Sequence, residues 1–99
     1  MPIEIQPSSG NVFADLEFGP EEAQNLKVRA DLMIELTKLI DKKGLTQAEA
    51  AMLLGVTQPR ISDLVRGKIN RFSVDSLIGM LGHAGATVSF VVKTGRRVA

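Results

Sequence analysis

Apolar positions recur along this chain at two different periods, and the change from one to the other divides it. From Glu21 onward, Leu26, Ala30, Met33, Leu36 and Ile40 return at three- and four-residue steps, with Leu32 and Leu39 widening the stripe. That period predicts an amphipathic helix. Acidic residues open it, Lys42 and Lys43 close it as the helix dipole favours, and Gly44 supplies the stop. The segment LTQAEAAMLLGV predicts a second, short helix: Thr46 is the N-cap, Glu49 three residues on completes a capping box, and Gly55 ends it. Thr57 caps a third helix with Pro59 in its first turn, where a missing N–H costs nothing, and Gly67 stops it. A fourth helix is predicted from Ser73, carrying Val74, Leu77, Ile78 and Leu81 and ending between Gly82 and Gly85.

The period then falls to two. In ATVSFVVK, Val88, Phe90 and Val92 alternate with Thr87, Ser89 and Val91, and the β-branched content predicts a strand. A lone strand leaves its backbone groups unsatisfied, so it pairs either with the stretch from Ile3 to Ile5 or with its own copy in a second subunit. The second option, an isologous homodimer, is the favoured expectation, and it makes Val88, Phe90 and Val92 the dimer strand. The first twenty residues, with Pro2, Pro7, Gly10, Gly19 and Pro20, read as an irregular arm. Within it Asn11 caps a short turn placing Val12, Phe13 and Leu16 at helical spacing. The expected organisation is one domain over 1–99, with the arm at 1–20, a helical unit at 21–85, and the strand with a basic tail at 86–99.

The second and third helices carry the most specific pattern. Two short helices joined by a tight turn must approach closely. Ala51 lies midway along the first, Gly55 permits the turn, Val56 fills the corner, and Ile61 with Leu64 anchors the second. With Gln47, this is the spacing of a DNA-binding helix-turn-helix, with an ordinary helical hairpin as the bland alternative. Ile61, Leu64 and Val65 define the buried face of the third helix, which turns Pro59, Ser62, Asp63 and Arg66 outward. Gln58 suits adenine, Arg60 suits guanine, and Ser62 suits a base or a phosphate, so these three are the predicted base contacts in the major groove. Thr46, Gln47, Thr57, Arg66, Lys68 and Arg71 are the predicted phosphate contacts. Asp63 is repelled by phosphate and takes a structural role, neutralised by Arg60 or Arg66.

Composition narrows the field further. The formal net charge of +1 conceals an asymmetry: Met1–Asp41 holds eight acidic against three basic residues, and Lys42–Ala99 holds nine basic against three acidic. A basic half of this kind fits a polyanion partner. The chain has no cysteine and a single histidine, so neither a thiolate metal site nor a disulfide framework is available, and no metal or cofactor is expected. His83 reads as a helix C-cap or a solvated ring. No phosphate loop, nucleophile motif or catalytic constellation is present, which argues against an enzyme. No apolar run approaches the roughly 20 residues of a membrane helix, and the N-terminus lacks the marks of a signal peptide. The expectation is a cytoplasmic protein with double-stranded DNA as partner.

The stretch GLTQAEAAMLLGVTQPRISDLVRGK resembles the Xre/Cro-type helix-turn-helix. Together with SSGNVFADLEF before the long helix, FSVDSLIGML after the motif and the closing TVSFVV, the chain is similar to the HigA-like antitoxin subgroup. The resemblance implies a mainly α, five-helix-type, lambda-repressor-like domain. It also implies a dimer that represses its own operon at a palindromic operator and binds a small RelE-like toxin that cleaves messenger RNA. By the same resemblance Gln58, Arg60 and Ser62 fall at base-reading positions, and the N-terminal arm becomes a toxin contact. The chain departs from many antitoxins in lacking a long disordered tail. The alternative is a regulator of the same family, phage-repressor-like, with no toxin partner.

Overall fold

The computed structural model describes residues 2–5 and 20–93, which form β1 (Pro2–Ile5), α1 (Pro20–Lys43), α2 (Gln47–Leu54), α3 (Gln58–Val65), a 3₁₀ turn (Ile69–Arg71), α4 (Val74–His83) and β2 (Thr87–Phe90). The short helical turn expected around Asn11 lies outside the described residues. The four α-helices fall where the apolar period and the caps place them. The 3₁₀ turn, three residues long and without a periodic signature, has no counterpart in the sequence reading.

Local chemistry explains the helix ends. Thr46 Oγ1 accepts from the Glu49 amide at 3.1 Å while Glu49 Oε1 accepts from the Thr46 amide at 2.9 Å, closing the predicted capping box. Ser73 and Ser76 form an equivalent reciprocal pair at the start of α4. Thr57 occupies the cap position of α3 with extended backbone, but its side chain makes no capping bond. At the far end of α3 the Lys68 amide donates to the Asp63 carbonyl at 3.0 Å and the Gly67 amide to the Leu64 carbonyl at 3.0 Å. This is a Schellman closure, and it requires the left-handed φ of +72° that Gly67 adopts.

The core gathers around α1. Leu32, Leu36, Leu54, Ile61, Leu64, Leu77 and Leu81 are the largest fully buried side chains, one or two from each of the four helices. Phe72, directly after the 3₁₀ turn, is buried with them. A single cluster thus ties the helix pair to its support, at a density where each methylene contributes.

The strand corrects one expectation. β2 pairs within the chain, parallel to β1, in a two-stranded sheet with Ile3 opposite Val88 and Ile5 opposite Phe90. The Ile3–Ile5 pairing is thus the one made within the chain, with Ile3 and Val88 both packed against the core, and it uses one edge of β2 only. β2 also stops at Phe90, so Val92 lies beyond the strand and is 82% exposed.

Candidate nucleic-acid interface

The turn between α2 and α3 is shaped by small residues, as the spacing predicts. Ala51 is buried, Gly55 takes φ +69° at the end of α2, and the Val56 amide donates to the Ala51 carbonyl at 3.0 Å. The turn also has a neighbour that sequence reasoning missed. A Cβ on Gly55 would stand 2.8 Å from Nδ1 and Cε1 of His83, the last residue of α4, so the imidazole lies against the turn. Gly55 is thus required by its left-handed φ, and a Cβ there would also displace the exposed His83 ring. His83 itself remains exposed to solvent, and among the described residues no group of three or more His, Asp or Glu is placed to hold a metal ion.

α3 is anchored by Ile61 at 0% and Leu64 at 2% exposure, which fixes the rotation of the helix and therefore which side chains face outward. Gln58, Pro59 and Arg66 are exposed, and Ser62 and Asp63 are half-buried on the same outward side. Thr46, Gln47 and Thr57, at the two helix starts, are exposed as well. Because the Thr57 hydroxyl makes no capping bond, the N-terminal amides of α3 have no side-chain acceptor from this residue, and both suit an anion at this end. Between Thr57 and Arg71 the chain carries four cations and one carboxylate.

Arg60, expected among the base contacts, has partners within the chain in the absence of DNA. Its Nη1 donates to the Arg71 carbonyl at 2.6 Å, and its guanidinium lies 4.2 Å from the centroid of the Phe72 ring. The half-buried side chain runs along the flank of α3 toward the 3₁₀ turn, a brace between the two elements rather than a free reading group. From the other side, Arg29 on α1 donates through Nη1 to the carbonyls of Ile69 at 3.1 Å and Phe72 at 3.4 Å. Two arginines thus hold the turn and the residue after it, at carbonyls of which only that of Ile69 also accepts a backbone amide, from Phe72 at 3.2 Å. Phe72 was legible only as one more apolar residue, and nothing in the sequence marks Arg29, 40 residues from its partner.

Asp63 also differs in its partners. Its carboxylate meets Arg71 Nη1 at 3.5 Å and Lys68 Nζ at 3.9 Å, in place of the expected Arg60 or Arg66. The structural role holds, but it involves two of the predicted phosphate contacts. Both keep exposed heads, with side-chain exposures of 42% for Lys68 and 60% for Arg71. Gln58, Ser62 and Arg66 stand at four-residue steps along α3, and Lys68 and Arg71 meet the same helix through Asp63.

Comparison with known proteins bears on this geometry. Residues 12–93 match the family model described as a helix-turn-helix domain. An HTH-type transcriptional regulator of Haemophilus influenzae is 31% identical over 84 residues, covering 85% of each chain. A solved structure described as an XRE-family transcriptional regulator superposes with a TM-score of 0.70 at 32% identity, covering 79% of this chain and 88% of that one. With a close-packed helix pair, an outward α3 and matches that span most of its length, this chain belongs to the helix-turn-helix family of XRE-type transcriptional regulators.

Proposed function

We propose that this regulator represses transcription by seating α3 in the major groove of a specific DNA sequence, with Gln58 and Ser62 reading bases. Thr46, Gln47, Thr57, Arg66, Lys68 and Arg71 contact phosphate. The observation that carries this reading is the side of α3 opposite Ile61 and Leu64. It is polar and cationic, and it is held rigidly by the core behind it. The regulator works in the cytoplasm, and no helix among the described residues is long and apolar enough to cross a membrane.

The proposed operator is palindromic and the proposed assembly a homodimer. Among the described residues β2 pairs along one edge only, and Phe90 remains 43% exposed beside it, which supports a second copy there. The finer reading, an antitoxin that neutralises a RelE-like toxin, is supported by the resemblance of the arm, the fourth helix and the closing strand. Co-expression with the product of the adjacent gene tests it: a stable complex supports the antitoxin, and independent elution leaves the regulator without a toxin partner.

The direct test of DNA recognition is a fluorescence anisotropy titration against the DNA upstream of the gene and against a scrambled duplex of equal length. The expected difference in affinity is about 10³-fold or more at physiological salt. Equal, weak binding to both would overturn the reading.

A further inference from the structure

The carboxylate of Asp63 stands among the cations that the proposed function gives to phosphate. Oδ2 lies 3.5 Å from Arg71 Nη1 and Oδ1 lies 3.9 Å from Lys68 Nζ. The acid keeps only 17% side-chain exposure, so the two longer side chains reach over it from solvent. Backbone structure delivers both of them. The Schellman bond from the Lys68 amide to the Asp63 carbonyl brings Lys68 back alongside the helix, and the bond from Arg60 to the Arg71 carbonyl holds the 3₁₀ turn against α3. Nothing else favours an acid here: Asp63 is in the last turn of α3, where the negative end of the helix dipole opposes a carboxylate.

We infer that Asp63 is an internal competitor of DNA phosphate for Lys68 and Arg71, and that it sets the affinity of the regulator below what its cations would otherwise give. This rests on the reading of α3 as the DNA-facing helix. A phosphate oxygen must share these two cations with the carboxylate, which offsets part of their charge and itself repels the phosphate. Binding to unrelated DNA feels the competition most directly, because it is carried almost wholly by phosphate contacts. The Asp63 side chain thus restrains loose association with bulk DNA.

The test is anisotropy of wild type and Asp63→Asn on the scrambled and the upstream duplex across a salt series. Asp63→Asn is expected to bind scrambled DNA on the order of fivefold tighter at low salt, with the gain fading as salt screens the charges. In a Lys68→Gln, Arg71→Gln background the same change should lose most of that gain, because no cation remains to be released. An equal gain in that background would mean that only net charge matters, and would overturn the inference. So would unchanged or weaker binding by an Asp63→Asn chain whose circular dichroism and Tm match wild type. If Asp63→Asn does not fold, Asp63→Ser carries the same expectations. Failure of wild type to bind either duplex would instead remove the DNA reading itself, and the competition with it.

Discussion

The α2–α3 pair and the two-stranded sheet differ in how far apart in sequence their partners lie. The pair is assembled from residues within about two helical turns of one another: a capping box at Thr46, a left-handed Gly55, and Ala51 beneath Val56. The sheet joins Ile3 to Val88 across nearly the whole chain. Closing a loop of that length costs entropy that local contacts do not pay, and each strand contributes only four residues. The turn of the pair is therefore specified largely by its own sequence, while its two helices are held by the shared core. The sheet has no such local specification, and Ile3 and Val88 both rest on the helical core.

The largest effect expected from this contrast is in the pair. Ile61→Ala empties a fully buried position between α3 and the core, and should cost about 2–5 kcal/mol in chemical denaturation. A loss of only a few tenths would show that α3 is not anchored by this side chain. Arg60→Ala should cost about 1–2 kcal/mol in the absence of DNA, through the lost charged hydrogen bond to Arg71 and the lost contact with Phe72. A variant with wild-type stability and an altered base preference would return Arg60 to the reading role that its position in the sequence predicts. The smallest effect is expected in the sheet: Val88→Ala trims a half-buried side chain and should cost about 1 kcal/mol or less in thermal unfolding. A cost equal to that of Ile61→Ala would erase the contrast.

The same contrast accounts for what could be read from the sequence. Helices, caps and the four glycine stops were legible because each is decided by residues within a few positions of one another. The 3₁₀ turn and its two arginines were not, since Arg29 lies on α1 and reaches carbonyls 40 and 43 residues away. Arg60 illustrates the limit within the site itself. Its position on α3 was legible, but its direction was decided by Phe72, whose burial depends on the whole core. The pairing of β2 was open between two partners for a similar reason: strand propensity says that a strand exists, not which edge it meets. Asp63 was recognised as out of place on a DNA-facing helix, while the identity of its partners depended on the turn that follows.

The central claim is that the outward side of α3, and not the sheet, meets DNA. Amide chemical-shift mapping tests it most directly: the labelled full chain is titrated with the upstream duplex and the shifts are followed residue by residue. The account predicts that the largest changes fall at Thr46–Gln47, Thr57–Gln58, Ser62 and Arg66–Arg71, with Thr87–Phe90 nearly unmoved. Changes concentrated on Thr87–Phe90 and the start of α1, with α3 silent, would contradict it.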